Sequence, residues 1–186
     1  MPYSLENFLN ECREAVKEYS TAADYVEVIT PLMHRLLAGN RDFLEEKHFQ
    51  SNPEQYARNP IYIDPENRLS IYSLVWLPGQ WTPIHDHGTW GVVGVVEGGL
   101  EERNFIRTDD QPRQATSGIE LARGGSIILT PGSVTSFVPN PDHIHITGNG
   151  KEKRAVSLHL YGHSMAGFNI YNRDNGTKEW TEVQHS

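Results

Sequence analysis

Residues 79–98 read GQWTPIHDHGTWGVVGVVEG and hold two histidines, His85 and His87, that are separated by one residue. Glycines flank the pair, and a run rich in valine follows it. In an extended chain, residues two apart project from the same face, so the two imidazoles can point at one place inside a β structure. This arrangement suits a metal ion. The alternative is that either ring is an ordinary buried or surface histidine.

Short β-branched and aromatic segments surround this stretch and are separated by turn residues such as proline and glycine. Many short strands separated by such turn residues favour an all-β barrel or sandwich over alternating strands and helices. The segment GNGKEK, residues 148–153, reads as a hairpin turn. The predicted strands are residues 70–76, 89–98, 100–107, 124–130, 144–148 and 155–162.

Residues 1–50 have helical spacing instead. Ser4 is suited to cap a first helix, a second helix is predicted over residues 25–37, and a third, shorter segment over residues 41–49. We therefore predict a mainly β fold in a single domain of 186 residues, with residues 1–50 as a helical cap on a small barrel formed by residues 56–186.

The composition limits the class of partner. The chain carries a net charge of −8, and a protein without a clustered basic face is poorly suited to bind nucleic acid or an anionic membrane. No apolar run approaches the length of a membrane span. The single cysteine, Cys12, falls within the first predicted helix, which fits a reducing compartment. We expect a cytoplasmic protein whose partners are small molecules.

The glycines and histidines of residues 79–98 follow a known pattern. Five residues separate Gly79 from His85, and three separate His87 from Gly91. This spacing resembles the first motif of the cupin superfamily, except that Gly91 stands where the motif usually has a metal-binding glutamate.

A second stretch further along the chain strengthens the resemblance. The sequence GSIILTPG, residues 125–132, is followed by HIHITGN, residues 143–149, in which His145 and Asn149 have the spacing of the second cupin motif. The resemblance covers roughly residues 56–165. It implies a cupin fold, a small β-barrel or jelly roll.

The last predicted strand carries a third pattern. Within VSLHLYG, residues 156–162, Ser157, His159 and Tyr161 alternate and therefore share one face. This row resembles the signature of the thiol dioxygenases, the family of cysteine dioxygenase and 3-mercaptopropionate dioxygenase. The resemblance implies an Fe(II) enzyme that adds both atoms of O2 to the sulfur of a small thiol. It also implies that the row is a hydrogen-bonded relay in which the Tyr161 hydroxyl reaches toward the reacting groups.

By the same resemblance, His85, His87 and His145 are the iron ligands, and the protein is a monomer or a weak dimer. His143 lies two residues from His145 and is the rival third ligand, but it lacks an asparagine at the spacing of the motif. Three neutral imidazoles without a carboxylate favour an anionic ligand from the substrate, for which a thiolate is suited. We expect the missing carboxylate at Gly91 to leave positions open for the thiol and O2.

The segment upstream of the iron motif bears on the choice of thiol. In YARNP, residues 56–60, Arg58 matches the position where cysteine dioxygenases carry an arginine for the substrate carboxylate and 3-mercaptopropionate dioxygenases tend to have glutamine. With Tyr56 nearby, Arg58 favours L-cysteine, because a guanidinium binds a carboxylate through two parallel hydrogen bonds. No arginine follows Tyr161 before Arg173, which weakens the 3-mercaptopropionate alternative. The other interpretation places Arg58 in an exposed loop with no binding role.

Gly91 is also a departure from the animal cysteine dioxygenases. Those enzymes have a cysteine at this position, linked covalently to the tyrosine that matches Tyr161. Here the position is glycine, so the link cannot form at Gly91. This is a bacterial-type pattern within the family, and it leaves the preference among small thiols ambiguous.

Two alternatives to a thiol dioxygenase stay open. One is a cupin that binds a metal or a small ligand without turnover, since a fold does not determine a function. The other is a different cupin activity, but such enzymes more often keep the carboxylate ligand. The row of Ser157, His159 and Tyr161 favours an enzyme, because a passive metal site has no need of it.

Overall fold

The computed structural model describes residues 3–139 and 142–183, which form two α-helices followed by ten β-strands. Residues 1–2 of the predicted helical cap and residues 184–186 of the predicted barrel lie outside the described residues. The helices are α1 (Leu5–Glu18) and α2 (Ala22–Ala38), and a 3-10 turn follows at Glu46–Phe49. The strands are β1 (Ala57–Ile63), β2 (Ser70–Trp76), β3 (Gly91–Glu97), β4 (Leu100–Arg107), β5 (Leu121–Leu129), β6 (Val134–Phe137), β7 (Ile144–Gly148), β8 (Ala155–Tyr161), β9 (Gly167–Asn172) and β10 (Thr177–Glu182).

The helical cap is present, with bounds that differ from the predicted ones. Ser4 caps α1, since its Oγ accepts a hydrogen bond from the Asn7 backbone N–H at 3.2 Å. Thr21 caps α2 in the same way, so this helix begins at Ala22 rather than at residue 25. The third predicted helical segment is reduced to the 3-10 turn. Within the described ranges, no helix is long and apolar enough to cross a membrane.

The strands of the described residues form three antiparallel sheets. The largest has the strand order β1-β2-β8-β3-β6, the second has the order β5-β4-β7, and the third is the pair β9 and β10. Single β-bridges from His85 to His145 and to Ile170 connect the segment before β3 with the second and third sheets. The predicted fold class, mainly β with an N-terminal helical cap, is confirmed.

The central strands β2 and β8 of the five-stranded sheet are buried along their whole length, because both faces of the sheet are covered there. On β8, Leu158 and Leu160 pack with the helices, whose buried side chains include Met33 and Leu36. The alternate residues of the sheet face the opposite side, where a second apolar cluster surrounds Trp76 of β2. Burial of each leucine stabilises the fold by about 1.5–3 kcal/mol, so the contact between cap and sheet is a main source of stability.

Several strand predictions were wrong in detail. β1, β6, β9 and β10 were not predicted, because each is short or carries polar residues on both faces. β3 begins at Gly91 rather than at residue 89, and β5 begins at Leu121 rather than at residue 124.

Asn149, the asparagine of the second motif, organises the connection between β7 and β8. Its Nδ2 donates to the carbonyl oxygens of Trp76 at 3.1 Å and of Lys153 at 2.7 Å. These bonds tie the end of the strand that carries His145 to the end of β2. The two strands that GNGKEK joins belong to different sheets, so the prediction of a hairpin turn was wrong.

Candidate active site

The structure brings His85, His87 and His145 together, although the first two do not lie in a regular strand. His85 and His145 exchange two backbone hydrogen bonds of 2.9 Å in an isolated bridge. The ring centroids are 4.8 Å, 4.6 Å and 4.9 Å apart, and one nitrogen from each ring lies within 4.8 Å of the others. All three side chains are buried. This three-histidine cluster has the composition and spacing of a metal site.

Burial keeps the cluster in the neutral form that binds metals. Burial, reinforced by the neighbouring histidines, holds the pKa values of His85 and His87 well below their usual value. Burial also lowers the pKa of His145, although Glu102 opposes this shift. Because a neutral imidazole already offers a lone pair, no proton has to leave the cluster when a metal binds.

Nitrogen atoms of the cluster are available to a metal. His85 Nδ1 lies 3.1 Å from the Pro83 carbonyl oxygen, which can only accept, so Nδ1 carries the proton and Nε2 offers its lone pair. His87 Nδ1 and both ring nitrogens of His145 are buried without a hydrogen-bond partner among the described residues. A buried polar atom without a partner costs roughly 1–3 kcal/mol unless something binds it. Three neutral imidazoles therefore fit Fe(II), as they fit several other divalent metals.

Asp86, between the two histidines, holds their segment from outside the cavity. Its carboxylate accepts hydrogen bonds from the Asn169 backbone N–H at 3.1 Å, from Asn169 Nδ2 at 2.9 Å and from the Tyr171 hydroxyl at 2.8 Å. Both partners lie on β9, one of the strands that the sequence pattern did not predict. The position of the histidine pair thus depends on a strand more than 80 residues further along the chain.

Glu102 of β4 was missed by the sequence analysis. Its Oε2 lies 3.2 Å from His145 Nδ1, and its Oε1 lies 3.4 Å from His143 Nε2. Burial raises the pKa of Glu102, but the contacts with His143 and His145 more than offset this effect, so the pKa lies below the usual range. Alternation with Leu100, which is also buried on β4, is the signal that could have found it. His143, the rival third ligand, is grouped with Glu102 and His145 instead.

Ser157, His159 and Tyr161 form a continuous hydrogen-bonded row on β8. Ser157 Oγ lies 2.9 Å from His159 Nε2, and His159 Nδ1 lies 3.1 Å from the Tyr161 hydroxyl oxygen. Trp76 extends the row by one residue, because its Nε1–H donates to Ser157 Oγ at 3.0 Å. The sequence analysis did not include Trp76.

Burial determines the protonation of this row. Burial, together with the nearby Arg58, lowers the pKa of His159 to about 3. Burial also raises the pKa of Tyr161 to about 12, although Arg58 opposes this shift. Near neutral pH the row therefore consists of neutral groups.

Arg58 lies on β1 with 7% of its surface exposed, so the interpretation as an exposed loop residue is wrong. Its guanidinium lies over the Tyr72 ring, 4.1 Å from the centroid, and 5.3 Å from the centroid of the Tyr161 ring. Tyr56 stacks on Trp76 with a centroid distance of 4.5 Å. Aromatic faces attract a cation and restrict its position.

Arg58 and the three-histidine cluster line the same inner cavity, of about 30 Å³. A larger outer pocket of about 300 Å³ shares Tyr56, Arg58 and Phe168 with it. These three side chains therefore stand between the outer pocket and the histidines. The inner cavity is also lined by Leu74, Trp76, Thr82, Val93, Leu100, Glu102, Leu129, Phe137, Thr147, His159, Tyr161 and Met165.

A comparison with protein families identifies the class of protein. The family model described as cysteine dioxygenase type I matches residues 13–174, most of the chain. The chain belongs to the cysteine dioxygenase type I family. Members of this family are thiol dioxygenases that use non-haem iron and act on a thiol and O2.

Solved structures resemble this cysteine dioxygenase family member in fold. An uncharacterised conserved protein with a double-stranded β-helix domain from Klebsiella pneumoniae has a TM-score of 0.51 and 16% identity, covering 72% of this chain and 98% of that one. The cupin domain of an XRE-family transcriptional regulator from Enterobacter cloacae has a TM-score of 0.41 and 19% identity, covering 58% of this chain and 96% of that one. The fold is that of a cupin with a helical cap.

The structure also shows what replaces the usual cupin glutamate in this cysteine dioxygenase family member. The Phe137 ring of β6 stacks on His87, with centroids 4.2 Å apart, and on His143, with centroids 4.8 Å apart. A Cβ atom at Gly91 would lie 2.3 Å from Phe137 Cζ. The ring therefore fills the volume beside Gly91, so a side chain can be added at this position only if Phe137 moves. That a metal at this site keeps positions open for the thiol and O2 stays a prediction.

Proposed function

We propose that the protein is an Fe(II)-dependent dioxygenase that converts L-cysteine and O2 into cysteine sulfinic acid. Both oxygen atoms end on the sulfur, so no external reductant is needed. The observation that supports this proposal best is the presence of the buried Arg58 and of the three-histidine cluster on one small cavity. A molecule with a carboxylate at one end and a thiol at the other can bind Arg58 and a metal in the three-histidine cluster at the same time.

His85, His87 and His145 would hold the iron, which supplies the redox and O2 chemistry when it is bound. The three rings are neutral, so this ligand set contains no protein anion. A thiolate from the substrate would bring the negative charge that the set lacks, and its soft sulfur is a suitable partner for imidazole-bound iron.

Arg58 would bind the substrate carboxylate through two parallel hydrogen bonds, which position a small acid. Stacking over Tyr72 limits the freedom of the guanidinium before the substrate arrives. Tyr56 and Phe168, at the boundary with the outer pocket, would keep bulk water away from the bound acid.

The row on β8 would present a proton at the Tyr161 hydroxyl. Trp76 Nε1–H can only donate, so Ser157 Oγ accepts from it. Ser157 can then donate to His159 Nε2, and His159 Nδ1–H can donate to the Tyr161 oxygen. In this direction the proton of Tyr161 points away from the row and is available to a reacting group in the cavity.

One observation favours 3-mercaptopropionate as a second candidate substrate. Among the described residues that line the inner cavity, Glu102 is the only carboxylate, and His143 and His145 contact it. The lining thus offers no separate carboxylate to the ammonium group of cysteine, whereas the clamp of Arg58 suits either acid.

The substrate comparison is the first test. Protein loaded with Fe(II) under anaerobic conditions would be mixed with O2 and with L-cysteine, 3-mercaptopropionate or cysteamine, while oxygen uptake and sulfinate are measured. We expect one O2 consumed per sulfinate and the highest kcat/KM with L-cysteine. A higher kcat/KM with 3-mercaptopropionate would transfer the assignment to the second candidate. Failure with all three thiols, in protein shown to hold one iron, would overturn the enzymatic assignment in favour of a cupin that only binds.

The Arg58→Gln variant tests the carboxylate clamp. Loss of a charge-assisted pair should raise the KM for L-cysteine by roughly tenfold or more and should leave cysteamine, which has no carboxylate, nearly unchanged. Arg123→Gln, at an exposed position on β5, is the matched control. Equal effects on the two thiols would show that Arg58 does not bind the carboxylate.

A further inference from the structure

Glu102 contacts two histidines at once. It is 4% exposed, and its two oxygens approach different rings, His145 Nδ1 at 3.2 Å and His143 Nε2 at 3.4 Å. No lysine or arginine among the described residues forms an ion pair with it within 4.0 Å. A buried carboxylate is costly without hydrogen-bond donors, so the two imidazoles are what makes this position tolerable.

This contact bears on the proton of His145. An ionised carboxylate has no proton to donate, so the ring nitrogen that faces Glu102 must supply the hydrogen. That nitrogen is Nδ1, which leaves the lone pair on Nε2. Nδ1 has the Glu102 carboxylate oxygen as a charged neighbour at 3.2 Å, although neither ring nitrogen of His145 makes a hydrogen bond of regular geometry within the described part of the chain. Glu102 therefore faces Nδ1, and Nε2 is the nitrogen of His145 that this contact leaves available to a metal.

We propose that Glu102 is a positioning residue that holds the ring of His145, and its proton on Nδ1, so that Nε2 faces the metal. His143, on the other oxygen, holds the carboxylate in place. This inference rests on the three-histidine metal site of the proposed function. A carboxylate behind a metal-binding imidazole also makes that imidazole a stronger donor, which raises metal affinity.

The neighbouring residue Glu101 provides a matched comparison. It lies on the same strand but contacts Arg103, with Glu101 Oε1 and Arg103 Nε 2.6 Å apart at a partly exposed position. The two glutamates therefore differ by one residue in sequence and by the face of β4 on which they lie. A change from carboxylate to amide at either position conserves size, but only the change at Glu102 alters the surroundings of His145.

The experiment compares the wild type, Glu102→Gln and Glu101→Gln. Affinity for Co(II) alone would be measured by competition with a chelator, and the absorption spectrum of the bound Co(II) would be recorded. We expect Glu102→Gln to bind roughly tenfold to a hundredfold more weakly and with a changed spectrum, because one amide oxygen cannot accept from both rings. Glu101→Gln should match the wild type in both respects.

A second measurement needs no variant. In the zinc-loaded wild type, nitrogen-15 NMR of the histidine rings should show His145 protonated at Nδ1. A proton on Nε2 would overturn the inference, as would equal Co(II) affinity of the two variants. Binding of two Co(II) ions, the second lost in Glu102→Gln, would mean that Glu102, His143 and His145 form a metal site of their own, which also overturns it. Absence of any metal binding in the wild type would instead count against the proposed function, and ring protonation would still be tested in the metal-free protein.

Discussion

Two sets of polar side chains meet at the cavity, the row on β8 and the histidine pair before β3, and the protein fixes their positions in different ways. The row of Ser157, His159 and Tyr161 lies on β8, which is paired with β2 over its whole length and with β3 over residues 156–161. The pair His85 and His87 lies on a segment with only isolated bridges, and hydrogen bonds from β9 to the residue between them fix it.

This difference shows where each half of the site is vulnerable. Side chains on a strand with two neighbours keep their direction through the pleat, so the row depends mainly on the sheet and on its own hydrogen bonds. Histidines on an irregular segment have no such support, so remote residues determine their direction. We therefore expect substitutions outside the cavity to affect the metal site more than they affect the row.

His87→Ala should have the largest effect. Loss of one of three ligands should remove metal retention and turnover together, with at least a hundredfold loss of metal affinity, because two imidazoles form a much weaker site. Metal content after gel filtration and oxygen uptake with L-cysteine would be measured, with His34→Ala, at an exposed position on α2, as the control. A His87→Ala protein with full activity would remove His87 from the ligand set.

Asp86→Ala tests the external support of the histidine segment. The substitution leaves the donors of the half-buried Asn169 and the buried Tyr171 without their acceptor, which should lower the free energy of unfolding of the metal-free protein by roughly 2 kcal/mol. It should also weaken metal binding by roughly tenfold, although no ligand is changed. Urea denaturation and metal competition would be compared with Asp110→Ala, at an exposed position. Unchanged metal affinity would show that the segment keeps its shape without β9.

Trp76→Phe tests the direction of the hydrogen bonds along the row on β8, and it should have the smallest effect. Phenylalanine keeps an aromatic ring for the stack with Tyr56 but removes the N–H that donates to Ser157. We expect kcat to fall by roughly tenfold, with metal affinity and the KM for L-cysteine nearly unchanged. Trp180→Phe, at an exposed position on β10, is the control. A fall in metal affinity would mean that the row on β8 and the histidine pair are not independent.

The fold class and the direction of the row on β8 could be predicted, because a strand of period two determines which side chains share a face. The convergence of His85 with His87 could also be predicted, but for a reason that the structure does not bear out, since their segment is not a regular strand. Glu102 was visible only as alternation within a charged stretch, and charge on a strand usually indicates a solvent-facing side. The hydrogen bonds from β9 to Asp86 could not be predicted, because they depend on a tertiary contact and not on a local sequence pattern.

The contact between Gly91 and Phe137 has a consequence for how this site can change in evolution. A carboxylate side chain at position 91 would meet the tip of the Phe137 ring, so the usual cupin ligand cannot be introduced by that single substitution without displacing the ring. Replacement of Phe137 by a smaller residue alone would remove the ring that stacks on His87 and His143 and leave a cavity beside His87, which lowers the stability of the fold. Positions 91 and 137 are therefore coupled, and a carboxylate at position 91 requires a smaller side chain at position 137 in the same protein.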